Sequence, residues 1–133
     1  MELFEVIILS LSSLALFYAS TMRLINPQKG NFLQTYLSNP DNRLENDTDL
    51  INEIRGVGAV MLVGGLFIIL GIVISDFKFT SFVVAVVIFF GVVLGRLISL
   101  VVDGKPNQDV IRATIAEIVL SVLNIFCLID LLL

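Results

Sequence analysis

Four stretches of the chain are almost unbroken in apolar side chains, at residues 3–24, 49–75, 79–102 and 110–132, and the polar residues gather between them. At about 1.5 Å per residue, each stretch is long enough to cross a hydrocarbon core of about 30 Å. Lipid offers a spanning backbone no hydrogen-bond partner, so all four are expected to be helices. The fold class that follows is an all-α integral membrane protein, an antiparallel four-transmembrane-helix bundle forming one domain over residues 1–133.

The connections differ in kind. Asp76, Phe77 and Lys78 make a very short link between the second and third helices. Residues 103–109 form a compact turn in which Gly104 and Pro106 stop the third helix, and Asn107 or Asp109 can cap the fourth. Short links make the last three helices antiparallel neighbours. Segment 26–48 is longer. Its Phe32, Leu33, Tyr36 and Leu37 repeat at helical spacing, which suits either a short interfacial helix or a loop with a few apolar residues. Asp47, Asp49 and Glu53 put negative charge at the start of the second helix, where the helix dipole favours it.

Composition narrows the class. Hydrophobic residues make up 57% of 133, more than a soluble domain of this length could cover with polar surface. A net charge of −4 without a basic stripe excludes nucleic acid as a partner. The single cysteine, Cys127, cannot form an internal disulfide, and without histidine no metal site or cofactor is expected. Glu2 and Glu5 stand where a secretory signal would be basic, so the first helix is expected to be retained.

Polar residues inside the apolar runs show which faces look inward. Thr114, Glu117, Ser121 and Asn124 line one stripe of the fourth helix, and polar groups facing lipid are costly, so this stripe is expected to face the bundle. Ser10, Ser13 and Ser20 recur on the first helix, where small residues allow close packing. Gly91 and Gly95 form a GxxxG on the third helix. Packing within the bundle is the expected use, and a homodimer or a membrane-protein partner through Gly91 and Gly95 is the alternative.

Glu53 and Arg55 open the second helix, Arg96, Ser99 and Asp103 close the third, and Glu117 lies about 10 Å into the fourth. Alternating helix direction puts these six residues on one side of the membrane. Glu53 is expected to point inward or toward the rim, along a face continued by Gly56, Val60 and Gly64. Arg96 and Glu117 are deep enough to need partners and are expected to pair with each other. Two readings then stand side by side. One is a structural network that fixes helix register. The other is a half-membrane pocket for an amphiphile, in which Arg55 or Arg96 would meet an anionic head. Three carboxylates facing two arginines favour self-satisfaction, or a neutral or cationic ligand.

The stretch "NEIRGVGAVMLVGGLFIILG", then "GRLISLVVDGKP", then Glu117 in the following helix, resembles a family of small bacterial membrane proteins of unknown function grouped with the DoxX-like four-helix proteins. The resemblance covers the second to fourth helices. It rests on an acidic-x-Arg-Gly opening, a Gly-Arg near the end of the third helix and an Asp-Gly-x-Pro turn. It implies four helices in a bacterial inner membrane and carries over Glu53, Arg55, Gly56, Arg96, Asp103, Gly104 and Glu117 as family-like positions. It implies no activity. Some DoxX-like relatives associate with quinone-linked sulfur oxidation, but nothing in this chain resembles a redox cofactor site.

The expected function is therefore a non-enzymatic, multi-pass membrane protein whose charged pocket binds a membrane lipid or another amphiphilic small molecule. The alternatives are a membrane enzyme, isomerase-like or quinone-linked, with Glu117 as acid and base, and an accessory subunit of a membrane complex. Arg23, Lys29, Arg43, Lys105 and Arg112 flank one side of the bundle and only Lys78 the other, which predicts both termini outside.

Overall fold

The computed structural model describes residues 2–133, and every regular element among them is helical. Helix α1 spans Leu3–Ile25, the short α2 Gln34–Leu37, α3 Thr48–Val73, α4 Lys78–Val102 and α5 Gln108–Leu132. The four long helices are each long and apolar enough to cross a membrane, the pattern of a multi-pass membrane protein. Large apolar side chains stay exposed along all four, among them Leu14, Leu66, Phe90 and Val119.

Local chemistry sets the helix ends. The Asp47 carboxylate accepts the Leu50 N–H at 3.0 Å and starts α3, and the Asn107 side-chain oxygen accepts the Val110 N–H at 2.9 Å and starts α5. Gly104 carries the chain past α4 at φ +96°, a conformation that favours glycine. A single 3₁₀ turn, Ser75–Phe77, links α3 to α4.

Helix α1 packs along α3, α3 on α4, and α4 on α5, whereas α1 and α5 touch over only a short stretch. The core between them holds Leu9, Leu16, Met61, Ile68, Phe82, Ala85 and Phe89. The α1–α5 seam closes at its lower end, where buried Asn124 donates to Ser12 Oγ at 2.8 Å and the Phe4 and Phe126 rings meet edge to face. Nearby, Glu5 at the start of α1 is buried and pairs with Lys78 at the start of α4. Above Asn124 the seam opens.

Segment 26–47 folds onto the chain as short turns around α2. Buried Leu33 and Leu44 pack on Ile54 of α3, with Phe32, Tyr36 and Leu37 against them. Tyr36 donates to Asp47 Oδ2 at 3.4 Å. Partial burial first, and then the Asp47 carboxylate, push the Tyr36 phenol up from its ordinary value.

The convergence expected of Glu53 and Arg55 with Arg96 and Glu117, and the close packing expected of Gly91 and Gly95, are both corrected by the structure. Ile54 is the buried residue in the first turns of α3, so Glu53 and Arg55, one position to either side, are both exposed. Among the described residues, no neighbouring element comes within 4 Å of where the Cβ atoms of Gly91 and Gly95 would be, so neither glycine is in close contact with another helix of the chain.

Candidate functional site

Small residues on two facing helices create the opening. Ala15 and Ala19 lie one turn apart on α1, with Arg23 one turn further on, and Ala113 and Ala116 lie one turn apart on α5. Where larger side chains would have closed the seam, a cavity of about 410 Å³ remains. Its apolar wall comes from Leu16, Met61, Ile88, Phe89, Val92 and Leu120. Tyr18 and Ala116 also line it and are exposed at the surface, so the cleft is open sideways between α1 and α5.

At one end the cleft becomes charged. Arg96 reaches from α4 to α5, with Nη2 donating to Glu117 Oε1 at 2.9 Å and Nε 2.9 Å from Oε2. Its Nη1 lies 3.3 Å from both the Val110 carbonyl and Thr114 Oγ1, so one guanidinium holds the first turns of α5. Thr114 in turn donates to the Val110 carbonyl at 2.7 Å. The pair is about four-fifths buried on both sides.

Arg23 faces the same space from α1. It is half-buried, donates to the Ala19 carbonyl of its own helix at 3.1 Å, and lies 4.5 Å from the centre of the Phe32 ring. Glycine at 58 makes this placement possible, since a Cβ there would stand 2.8 Å from Arg23 Cβ. Lys29, Gly30 and Phe32 of the loop cover the charged end, and Asp109 and Arg112, paired at 3.6 Å, complete it from α5.

The cluster expected from the sequence is thus dispersed, with Arg55 apart from the rest. Arg96, Glu117 and Thr114 come together at the cleft. Ser99 donates to Asp103 Oδ2 at 2.7 Å at the exposed end of α4. Glu53 lines a separate shallow groove between α3 and α4 with Gly56, Val60 and Gly91, and Arg55 lines neither space. Ser121 and Asn124 are buried below the cleft and do not line it. Sequence reasoning missed Arg23, Lys29, Phe32 and Arg112 as site residues; the stripe of Ala15, Ala19 and Arg23 at four-residue spacing was the signal that pointed to the first of them. No group of three or more metal-ligating side chains occurs among the described residues.

Comparison with known proteins gives a family without a described activity. No curated protein and no solved structure matches the chain, and nothing found links it to DoxX-like proteins. Residues 4–128, nearly the whole of the four-helix body, match the Domain of unknown function (DUF4345), and the chain belongs to that family.

Proposed function

We propose that this chain is an antiparallel four-helix bundle of the cell membrane, the bacterial inner membrane by its motif resemblance, and that it binds an amphiphile in the cleft between α1 and α5. The observation that carries this reading is the form of the cleft. An apolar trough, open sideways toward the surroundings of the bundle, ends in a cluster of charged side chains. A lipid-like molecule entering from the bilayer would find a chain site and a head site in that order. The test is native mass spectrometry of the protein released directly from its membrane. A co-purifying amphiphile is expected with the wild type and not with Ala116→Phe, which fills the trough from its exposed side. The same mass on both proteins, or on neither, overturns the reading.

In this proposal the charged end faces the cytoplasm and both termini lie outside. The balance of basic residues supports it: Lys78, the one cation that flanks the other side, is held in its pair with Glu5. An engineered cysteine at Asn42, in a Cys127→Ala background, is expected to resist impermeant thiol reagents applied to intact cells.

Acid–base work by Glu117 has less support, because each of its oxygens lies 2.9 Å from an Arg96 nitrogen. An accessory-subunit role has one favourable observation, the open space beside Gly91 and Gly95. A stoichiometric protein that co-purifies with the wild type and is lost with Gly91→Leu would favour it.

A further inference from the structure

The cleft and the chain have opposite charge balances. The protein carries eight basic and twelve acidic residues, yet the cleft is lined by four cations, Arg23, Lys29, Arg96 and Arg112, and by only two carboxylates, Asp109 and Glu117. Pairing inside the site removes the same two from each side. Arg96 is matched to Glu117 through two short contacts, and Arg112 to Asp109. Arg23 and Lys29 remain, and among the described residues no carboxylate forms an ion pair with either.

Arg23 is the more informative of the two. Lys29 is exposed and can be neutralised by water and counter-ions, but Arg23 is half-buried at the junction of the apolar wall and the charged end. Its protein contacts are a carbonyl of its own helix and the face of Phe32. Both are favourable for a cation and neither cancels its charge. A guanidinium held in this way presents its remaining N–H groups to an oxyanion.

Size limits the other end of the ligand. A volume of about 410 Å³ lies toward the small end of the roughly 300–1,000 Å³ typical of sites for drug-sized molecules. One chain fits that space. A two-chain lipid would have to leave a chain outside.

We infer that the cleft takes an amphiphile with a single apolar chain and an anionic head, a carboxylate or a phosphate monoester, and that Arg23 is the residue that holds the head, with Lys29 beside it. This rests on the proposed reading of the cleft as an amphiphile site and adds the sign of the head, its anchor and the number of chains. The Arg96–Glu117 pair then serves as a positioning element that fixes α5 and shapes the floor under the head. The apolar chain runs down the seam over Ala19, Leu16 and Leu120 toward the point where Asn124 and Ser12 close it.

The experiment titrates the full chain in phosphatidylcholine nanodiscs with dodecanoate, dodecyl phosphate, dodecanol, dodecyltrimethylammonium and inorganic phosphate, with empty nanodiscs as the reference. Dodecanoate and dodecyl phosphate are expected to bind at least about tenfold more tightly than dodecanol, as a charge-assisted contact implies, with the cationic amphiphile weakest. Arg23→Gln is expected to bring both anions to the dodecanol level, with a smaller change for dodecanol than for either anion, whereas Arg23→Lys keeps most of the preference. If Arg23→Gln does not fold, Lys29→Gln replaces it, and its exposed position leads us to expect a partial loss of the preference.

Equal binding of all four amphiphiles, or an anion preference that survives these neutral substitutions, overturns this inference and leaves the proposed function standing. Binding of none of them above the empty nanodisc overturns the proposed function itself. Inorganic phosphate binding as tightly as dodecyl phosphate would show a site for the free anion and overturn the chain requirement.

Discussion

Arg96 of α4 meets Glu117 of α5 side-on, with Nε and Nη2 each 2.9 Å from a different carboxylate oxygen. The Nη2 contact is a hydrogen bond and the Nε contact an ion contact, since Oε2 accepts no hydrogen bond among the described residues; together they tie the rotation of α5 to α4 and shape the cleft floor. Breaking a fully buried pair by removing one partner costs about 3–5 kcal/mol, because the other charge is stranded. Here the side chains are 20% and 17% exposed, so the penalty is discounted toward about 1–3 kcal/mol. Arg96→Met and Glu117→Gln are each expected to lower stability in detergent by that amount, and the double variant by clearly less than the sum. A double-mutant cycle on reversible unfolding measures this, and strictly additive losses would count against coupling.

At the opposite end, Lys78 and Glu5 form a second interhelical pair, between the starts of α4 and α1. Glu5 is buried and also accepts the Glu2 N–H, so it caps α1 while holding Lys78. Lys78→Met strands a buried carboxylate and is expected to destabilise the bundle. Adding Glu5→Gln should restore part of the loss. Midpoints of thermal unfolding for the two single variants and the double variant check this, and a double variant weaker than Lys78→Met alone would contradict it.

These two pairs show what the sequence could and could not convey. Helix extents were legible because long apolar runs have one solution in lipid, and the observed ends fall within two residues of the expected ones. The meeting of Arg96 and Glu117 was legible for a similar reason, since charges deep in apolar helices seek each other. Glu53 and Arg55 misled. Their direction is set by Ile54, which packs on Leu33 and Leu44 of a loop whose fold no periodicity encodes. Arg23 stood near a helix end and looked like an ordinary flanking charge; its place at the cleft depends on the close approach of α1 to Gly58 and on the loop residue Phe32, which no local pattern encodes. Glu5 and Lys78 are distant in sequence, and nothing local links them.

The loop over the charged end has its own pH signature. The Tyr36 phenol is pushed above its ordinary value, by partial burial and then by the Asp47 carboxylate to which it donates. Its folded pKa therefore exceeds its unfolded value of about 10. The sign follows: its contribution to stability is fully present below about pH 10 and is lost as the pH rises through the folded pKa. Ultraviolet titration of the phenolate is expected to show Tyr36 ionising later in the wild type than in Asp47→Asn. Coincident titration curves would contradict the link.

Glycine at 58 joins packing to function, because the space beside it is already occupied by Arg23 Cβ, and Leu24 Cγ would stand 3.1 Å from an added Cβ. These are atoms near the backbone of α1, not the tips of flexible side chains, so relief requires the end of the helix to move. Overpacking of this kind costs about 1–3 kcal/mol. Gly58→Ala is therefore expected to lower stability by an amount in that range and to shift the Arg23 guanidinium relative to Phe32 and the cleft. At Gly56, two residues earlier, no neighbouring element among the described residues comes within 4 Å of an added Cβ, so Gly56→Ala serves as the control and should be neutral or slightly stabilising through helix propensity. The two variants separate position from composition, since each adds one methyl group to the same helix. Stability in detergent and dodecyl phosphate binding are the measurements. Loss of both with Gly58→Ala and of neither with Gly56→Ala is the expected outcome. Equal behaviour of the two would mean that the approach of α1 to α3 does not set the geometry of the cleft.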